Sequence, residues 1–394
     1  MSALTKLNEI APQMYLEPAE ETQFTPPALP CGVQPPHPRP LIPDPHPLVS
    51  YATMPGGKKM PMLKTMMTTA CERNCYYCPF RAGRSSMKRV TFSPDEMAKT
   101  AYDMSRAGLI QGLLLSSGII GGGVRAQSKI IDTAVILREK YKYRGYLHLK
   151  VMPGAEKAQV ERMMQLANRL SVNLEAPNGR RLADLAPKKV FFEELLRPLQ
   201  WIQEIRQTKE ARMGWNGRWP SSVTQFVVGA VGESDVEILS TAHYLYKHLG
   251  LSRTYFSPFH PIADTPFENL PAENEWRKFR LYQASFLFRD YNFDLEEMPF
   301  LQDGRLPLDT DPKLAWAQAN LGDDPVELNA AEREELLRVP GVGHQGAMAI
   351  IRARRYGHIR YLTDLKKIGV QTKRLKPFVL LDGKRPSYQL PLLW

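Results

Sequence analysis

Short apolar runs alternate with amphipathic stretches over residues 64–261, and this alternation most constrains the fold of the chain. The stretches between the runs show helical apolar spacing or a helix start such as Ser93-Pro94. Strands that alternate with helices form parallel sheets through crossover connections. The pattern predicts an α/β fold, a partial (β/α)6 TIM-like barrel rather than a closed barrel of eight units. The six predicted strands are 64–70, 109–116, 146–152, 170–175, 223–228 and 253–257.

Three of the four cysteines lie directly after the first predicted strand, in the run CERNCYYCPF. Cys71, Cys75 and Cys78 have the spacing Cys-x3-Cys-x2-Cys, which can hold three irons of a 4Fe-4S cube and leave the fourth iron open. A zinc site usually has four ligands in paired spacings, and no Cys or His follows Cys78 at a suitable distance. A structural metal site without redox function remains the alternative. Parallel barrels bind ligands at the C-terminal ends of their strands, which is where these cysteines fall.

The cysteine spacing resembles that of the radical S-adenosylmethionine (radical SAM) superfamily. In that superfamily SAM chelates the open iron, and an electron from the cluster cleaves it to methionine and a 5′-deoxyadenosyl radical. The radical then abstracts a hydrogen atom from the substrate. The resemblance implies a 4Fe-4S cluster and SAM as cofactors, and a flavodoxin or ferredoxin as electron donor. It also implies that Cys71, Cys75 and Cys78 are the metal ligands and that Tyr77 lies beside the adenine.

Further SAM contacts are expected at other strand ends. The glycine-rich segment 116–123 lies where the family usually has Gly-Gly-Glu, although this chain has no glutamate there; the alternative is a flexible connecting loop. The fourth strand ends in polar side chains that need partners inside a barrel. Segment 229–233 resembles a family segment that shapes the adenine pocket, although Glu233 could instead cap the next helix. The candidate SAM-binding residues are Tyr77, Ser117, Gly118, Asn173, Glu175 and Val231.

Tyr255 and His260 are the candidate catalytic residues, because the run 255–261 brings aromatic rings and a histidine toward the mouth of the barrel. His148 and Lys150 on the third strand could complete a substrate pocket. A structural role for each residue is the alternative. Several cations near the cysteines predict a basic entrance that suits a phosphate-bearing substrate. They are Arg73, Arg81, Arg84, Lys88 and Arg89.

The C-terminal region carries most of the net charge of +11. Residues 330–394 contain 13 Lys and Arg against 5 Asp and Glu, a balance of +8. The run LLRVPGVGHQGAMAIIRARR resembles a helix-hairpin-helix motif, whose glycines expose backbone N–H groups to phosphate oxygens. A degenerate second copy occupies 361–376, and a hairpin that contacts protein is the alternative. The candidate DNA-binding residues are Gly341, Gly343, Arg352 and Arg355, with backbone contacts that do not read sequence.

The predicted organisation has five parts. They are a proline-rich extended arm over 1–50, a radical SAM partial barrel over 51–290, a linker over 291–329, a small all-α helix-hairpin-helix module over 330–385 and a tail over 386–394. The arm contains Cys31, interpreted as a spare thiol. The chain has no apolar stretch of membrane-spanning length and no signal peptide, which predicts a cytoplasmic protein without membrane contact.

The runs CERNCYYC, NLEAPN, QFVVGAVGES and PGVG together resemble one branch of the superfamily, the DNA-modification or repair radical SAM proteins. That branch is associated with a partner similar to uracil-DNA glycosylase. The expected function is therefore a radical SAM enzyme that acts on DNA. The alternatives are an RNA-modifying radical SAM enzyme and a nonenzymatic iron-sulfur protein that binds DNA.

Overall fold

The computed structural model describes residues 1–16, 48–54, 57–84 and 87–387. Backbone contacts divide the chain into two compact units. Unit 1 comprises Met1–Glu233 and Tyr244–Lys278, and unit 2 comprises Ser234–His243 and Phe279–Trp394.

Unit 1 contains a half-barrel sheet of seven strands whose spatial order follows the sequence. The strands are β1 (Val49–Thr53), β2 (Lys59–Met66), β3 (Gly112–Ser116), β4 (Tyr146–Lys150), β5 (Arg169–Ser171), β6 (Ser221–Val228) and β7 (Arg253–Pro258). β1 pairs antiparallel with β2, and each later pair is parallel. The six predicted parallel strands and the α/β class are confirmed, and the antiparallel edge strand β1 is an addition to the prediction.

Helices connect the parallel strands, as the alternation predicted. They are α2 (Pro94–Arg106), α3 (Gly123–Val135), α4 (Lys157–Leu166), α5 (Gly179–Leu185), α6 (Arg197–Thr208) and α7 (Asp235–Leu249). α2 begins at the predicted signal, because the Ser93 hydroxyl accepts a hydrogen bond from the Glu96 N–H at 3.2 Å and Pro94 occupies the first turn.

The two faces of the parallel sheet have opposite chemistry. One face is apolar and fully buried, with side chains such as Leu113, Leu147 and Phe226. The other face carries polar side chains at alternate positions, including Lys150 and Gln225. Because successive side chains of a strand point to opposite faces, this alternation separates an apolar layer from a polar interior.

The N-terminal segment differs from the predicted extended arm. Ala3–Ile10 forms helix α1, capped by the Ser2 hydroxyl, and Ala11–Leu16 forms a 3-10 helix. The prediction is wrong for these residues because the prolines on which it depended begin only at Pro12, while Leu7 and Ile10 form a buried apolar face. Residues 17–47 of the arm, which include Cys31, lie outside the described residues.

Unit 2 has its own apolar core. Its elements after residue 279 include the remainder of α8 (Glu275–Tyr291), then α9 (Pro312–Asn320), β8 (Val326–Glu327), α10 (Arg333–Arg338), α11 (His344–Ala353), α12 (Leu362–Lys367) and β9 (Val379–Leu380). Ala317, Leu321 and Leu328 are buried in the same cluster as Leu336 and Ile350. Residues 312–329 are therefore part of this core and not a linker, because short helices need these apolar side chains to complete it.

The terminal module is also not purely helical. β8 and β9 form a two-residue parallel pair, Val326 with Val379 and Glu327 with Leu380. Residues 388–394 of the predicted tail lie outside the described residues. Among the helices of the described ranges, none has both the length and the apolar character needed to cross a membrane.

Gly118 occupies the closest approach between the loop after β3 and the residues after β2. Its N–H donates to the Thr68 carbonyl at 2.7 Å. A Cβ atom at this position would lie 2.2 Å from the Ala70 carbonyl oxygen, next to Cys71. Only glycine therefore lets these two strand ends meet.

We expect Gly118→Ala to lower the free energy of unfolding by about 1–3 kcal/mol, because the main chain must shift to admit the methyl group. Urea denaturation measures this loss. Gly179→Ala is the matched control, since a Cβ there would meet only the Phe191 Cβ, at 3.6 Å. Equal stability of the Gly118→Ala and native chains would contradict the expected clash.

Candidate functional site

One pocket of unit 1 gathers the three cysteines and the polar ends of the strands. It lies at the C-terminal ends of β2 to β6, as expected for a parallel half-barrel. Five of the six candidate SAM-binding residues line this pocket together with the cysteines, and their individual roles stay predictions. The polar and cysteine lining comprises Cys71, Cys75, Cys78, Arg73, Tyr77, Ser116, Ser117, Gly118, Lys150, Asn173, Glu175, Lys189 and Gln225.

Backbone N–H groups point at two of the cysteine sulfurs. The Ile119 N–H donates to Cys71 Sγ at 3.5 Å, and the Phe80 N–H donates to Cys78 Sγ at 3.4 Å. Such donors stabilise negative charge on sulfur and raise the reduction potential of a cluster. The loop therefore provides both the ligands and part of their electrostatic support.

The Arg89 guanidinium holds the cysteine loop in shape. It donates to the carbonyl oxygens of Thr69 at 2.6 Å, Phe80 at 2.9 Å, Arg81 at 2.8 Å and Arg84 at 3.2 Å. One planar side chain thus satisfies four carbonyl groups on the two arms of the loop.

The other cations of the predicted basic entrance also make internal contacts. Arg73 forms an ion pair with Glu194 at 2.5 Å and donates to the Lys188 carbonyl. Arg84 donates to the Pro79 and Ala263 carbonyls, at 3.0 and 3.2 Å, and Lys88 pairs with Glu9. Arg81 lies 5.9 Å from the centre of the Tyr76 ring. These side chains stabilise the loop, so their charge is a weaker indication of an anionic substrate than the sequence suggested.

A buried ion pair lies beside the cysteines. Lys189 Nζ is 3.2 Å from Glu175 Oε1, and their side chains are only 10% and 6% exposed. Glu175 has φ of +66°, a conformation that is uncommon for a residue other than glycine. Both of its backbone groups bond to β6, since its N–H donates to the Gln225 carbonyl and its carbonyl accepts from the Val227 N–H.

Burial and neighbouring charges together shift the pKa values of this pair and of the thiols. Burial acts to raise the pKa of Glu175, but Lys189 and Lys150 outweigh it, so the pKa is lowered and the group is a carboxylate. Burial acts to lower the pKa of Lys189, but Cys75 and Glu175 outweigh it, so the pKa is raised. Burial raises the pKa of both Cys75 and Cys78, and Lys189 opposes this at Cys75.

Tyr77 and Asn173 complete the polar wall of the pocket. Burial, and then the negative charge of Glu175, raise the pKa of Tyr77 well above its ordinary value, so its phenol stays neutral. Asn173 Nδ2 donates to Gln225 Oε1 at 3.1 Å, and the Ser117 hydroxyl donates to the Gly118 carbonyl at 2.7 Å. The wall therefore combines a carboxylate with neutral donors and acceptors.

The glycine loop after β3 is held by a glutamate from the cysteine loop. Glu72 accepts hydrogen bonds from the N–H groups of Gly121 and Gly122, at 3.0 and 3.2 Å. The Glu72 N–H in turn donates to the Ile119 carbonyl at 2.7 Å. Glu72 thus holds the glycine loop in place through hydrogen bonds. The glycine loop itself contains no glutamate.

Three predicted residues do not line the cysteine pocket. The Val231 N–H donates to Glu233 Oε2 at 3.3 Å, and its carbonyl accepts from Arg181 at 2.8 Å. His260 is exposed, with Nε2 at 3.2 Å from Glu275 Oε1. Tyr255 is buried on β7, and its hydroxyl lies 3.4 Å from Arg169 Nη1. Their proposed roles in SAM binding and catalysis stay predictions.

Two polar residues of the pocket were missed by the sequence reasoning. Gln225 could have been found, because it is a polar residue at an interior-facing position of the strand VTQFVV. Lys189 gave no signal, because it follows Lys188 in a charged stretch between α5 and the π-helical turn Phe191–Leu196. Only the folded chain brings it beside Cys75.

Comparison with known proteins finds a similarity to one protein family. Residues 65–245 match the family model described as Radical SAM superfamily. The match covers residues 65–245 and therefore less than half of the chain. Its boundaries enclose the three cysteines and the pocket, so the site described above lies within the part of the chain that matches. No curated protein matches the chain.

Three of the solved structures that are similar to this chain are a maturase, a synthase and a methyltransferase. The FeFe-hydrogenase maturase HydG from Carboxydothermus hydrogenoformans is 17% identical, with a TM-score of 0.45 over 58% of this chain and 51% of the maturase. Methylornithine synthase is 11% identical, with a TM-score of 0.46 over 70% of this chain and 68% of the synthase. A radical SAM methyltransferase from Sphaerobacter thermophilus is 15% identical, with a TM-score of 0.43 over 60% of this chain and 65% of the methyltransferase. The chain spans about half the length of the maturase.

The similarity to the radical SAM family model implies a 4Fe-4S cluster and SAM, and the residues present fit both groups. Cys71, Cys75 and Cys78 are all free thiols on one wall of the pocket. Within the described ranges, no three His, Cys, Asp or Glu side chains are arranged for a single metal ion. A cube places each cysteine on a different iron, so its thiolates need not converge on one point. Asn173 and Glu175 line the same pocket and are the candidates to contact polar groups of SAM.

We expect Lys189→Met to lower the free energy of unfolding by about 3–5 kcal/mol, because it leaves the Glu175 carboxylate buried without its cation. Urea denaturation of the reconstituted protein measures the loss. Adding Glu175→Gln to the Lys189 variant should restore part of it, since no unpaired charge then remains.

Lys188→Met is the matched control for this experiment. It makes the same chemical change one residue earlier, at an exposed side chain. An equal loss of stability in the two single variants would show that the ion pair with Glu175 is not the cause.

Proposed function

We propose that the chain is a radical SAM enzyme that acts on DNA, in modification or in repair. The observation that carries the choice of DNA is the pair of helices α10 and α11 in unit 2, joined by the short glycine turn 339–343 and flanked by exposed cations. The pocket of unit 1 supports the radical chemistry independently of that choice.

When bound, the 4Fe-4S cluster and SAM supply a 5′-deoxyadenosyl radical. The chain's own part is to hold and shield these groups. Cys71, Cys75 and Cys78 would ligate iron as thiolates. The Lys189 ammonium and the two N–H donors would favour negative charge on the sulfurs, while Asn173 and Glu175 would orient polar groups of SAM.

The turn between α10 and α11 supports phosphate binding. Gly341 is exposed and has φ of +86°, which favours glycine. Gly343 caps α11 without a side-chain hydrogen bond. Because the first N–H groups of a helix have no partner within the helix, the start of α11 can donate to a phosphate oxygen. This geometry is the basis for proposing a helix-hairpin-helix module.

Charges around the turn support the same proposal. Arg352 and Arg355 are exposed on α11 and at its end, as are Lys366, Lys367 and Lys373 farther along. Tyr356 is 92% exposed beside Arg355, a position from which its ring could stack on a base. Arg354, between these two arginines, instead donates to the Leu328 and Ala331 carbonyls at 3.1 and 2.6 Å.

The proposal includes two protein partners. The chemistry of the pocket requires the first, and the resemblance to the DNA-modification or repair branch implies the second. A flavodoxin or ferredoxin would deliver the electron that SAM cleavage consumes. A partner similar to uracil-DNA glycosylase would act on the same DNA.

We expect the anaerobically reconstituted protein to form 5′-deoxyadenosine and methionine from SAM when it receives an electron from dithionite. Cys75→Ser should abolish the product, because the cube loses a ligand. Cys31→Ser is the matched control and should leave the yield unchanged. Chromatography of the quenched reaction measures both products. An intact cluster without SAM cleavage would favour the nonenzymatic DNA-binding protein.

We expect the double variant Arg352→Gln and Arg355→Gln to weaken duplex DNA binding and to flatten its salt dependence. The slope of log K against log salt should fall by about 1 for each phosphate that is no longer neutralised by an arginine. Fluorescence anisotropy at several salt concentrations measures the slope. The control is the double variant Arg106→Gln and Arg144→Gln, which removes equal charge from exposed positions of unit 1. It should change neither the affinity for duplex DNA nor the slope of its salt dependence.

Competition between duplex DNA and structured RNA at matched salt tests the choice of nucleic acid. Tighter RNA binding would overturn the DNA proposal in favour of RNA modification. Deuterium carried from labelled DNA into 5′-deoxyadenosine would identify the attacked position.

A further inference from the structure

Four large apolar side chains are exposed on two short segments of unit 1. Ile120 in the glycine loop and Val124 in the first turn of α3 are 47% and 42% exposed. Val190 and Phe192, which follow α5, are 51% and 61% exposed. Single exposed apolar residues are ordinary, whereas a group of them on one surface indicates an interaction site. We call these four residues the apolar patch.

Glu194 connects the two segments of the apolar patch. Its carboxylate accepts a hydrogen bond from the Val190 N–H at 2.8 Å. A Cβ atom at Gly154 would lie 3.6 Å from Glu194 Oε1 and 3.4 Å from the Gly123 Cα, so Glu194 lies beside the first residue of α3. Val124 and Val190 are therefore on neighbouring segments, and the four side chains belong to one region of the surface.

The apolar patch borders the cysteine loop. Arg73, two residues after Cys71, pairs with Glu194 at 2.5 Å and donates to the Lys188 carbonyl. The residue before Ile120 donates its N–H to Cys71 Sγ at 3.5 Å. Both segments of the patch are thus joined to the cysteine loop by direct contacts. Cys71 itself is half-buried, so this surface comes close to a cluster ligand.

Positive charge predominates around the apolar patch. The cysteine loop and the two segments of the patch contain eight Lys and Arg against three Asp and Glu, a balance of +5, over residues 71–90, 119–125 and 187–194. Two of these cations pair with carboxylates from elsewhere, Lys88 with Glu9 and Lys189 with Glu175, which leaves a balance of +3. The hydrogen bonds that Arg89 makes to carbonyl groups do not cancel its charge. The surroundings of the patch therefore favour an acidic partner.

The proposed chemistry consumes one electron, and the cysteine content of the chain indicates that a partner delivers it. Iron-sulfur clusters are usually held by several cysteine thiolates. Three of the four cysteines form the cysteine loop, so one remains for any second cluster. Electrons pass between proteins over short distances only, so the partner must dock where the surface comes close to the cysteines. The apolar patch is such a surface.

We propose that the apolar patch docks an acidic flavoprotein of the flavodoxin type, which reduces the cluster. This inference rests on the proposed function, which supplies the use of the electron. Aliphatic side chains and the Phe192 ring fit the exposed hydrocarbon edge of a flavin. The positive surroundings attract an acidic protein and speed its docking. One electron passes from the reduced flavin to the cluster, and no bond forms or breaks.

The first test measures docking without SAM cleavage. Calorimetry titrates oxidised flavodoxin into the full chain with its cluster reconstituted. We expect the double variant Val124→Ser and Phe192→Ser to weaken binding by about tenfold or more, because a few buried side chains carry most of the energy of an interface. The matched control is Leu109→Ser with Met213→Ser, which should bind as the native chain does. These side chains are 45% and 44% exposed and precede β3 and β6, at the opposite ends of the strands from the cysteine loop.

The second test compares two reductants in SAM cleavage. With reduced flavodoxin, the double variant should need about tenfold more donor for half-maximal formation of 5′-deoxyadenosine. With dithionite, which needs no docking surface, its yield should equal that of the native chain. Lys188→Glu should weaken only the reaction driven by flavodoxin, and high salt should reduce the difference, because salt screens charges at the rim of an interface.

Equal binding of flavodoxin by the native chain and the double variant would overturn the proposal. A parallel loss of cleavage with dithionite would also overturn it, since the patch would then serve SAM or the cysteine loop. If a ferredoxin supports cleavage and flavodoxin does not, the flavoprotein is rejected as the occupant. Circular dichroism and iron content check the folding of each variant, and Phe192→Ser alone replaces a double variant that does not fold.

The two tests separate the docking surface from the proposed function. Flavodoxin binding that depends on Phe192, without SAM cleavage by either reductant, would reject the radical SAM reaction and leave the docking surface in place. SAM cleavage with dithionite, without flavodoxin binding, would reject the docking surface and leave the reaction in place.

Discussion

The opposite chemistry of the two faces of the half-barrel sheet is the constraint on which the rest of unit 1 depends. Residues at alternate positions, such as Leu147 and Leu149 against His148 and Lys150, are forced by strand geometry to opposite sides. The apolar side supplies the core, and the polar side supplies the pocket. Because the strands are parallel, their C-terminal ends meet at one rim, and the cysteine loop, the glycine loop and Glu175 converge there.

Because these loops and strand ends converge, charged groups are concentrated in the pocket, and their charges must be stabilised there. Glu175 and Lys189 neutralise each other at 3.2 Å, while the cysteine thiols need positive charge and N–H donors to exist as thiolates. The pocket thus combines a paired carboxylate and ammonium with cysteines whose negative charge N–H donors can stabilise.

Prediction from the sequence succeeded where a local pattern decides the structure. The alternation of apolar runs with amphipathic stretches, the helix cap at Ser93 and the spacing of the cysteines are local patterns. The structure has the six parallel strands in the expected order. Prediction failed where residues far apart in the sequence complete an apolar core or an ion pair. The helix α1 and the buried residues of 312–329 depend on apolar contacts made in the folded chain, and proline content or position in the chain does not reveal them.

By itself, the sequence determined the class of the fold and the chemistry of the cysteine loop, because strand alternation and thiol spacing are properties of neighbouring residues. It also located an excess of positive charge after residue 330. Only the tertiary structure decided what faces the cysteines. Lys189 and Gln225 come from separate parts of the chain, and they line the pocket with the cysteines only because the chain folds.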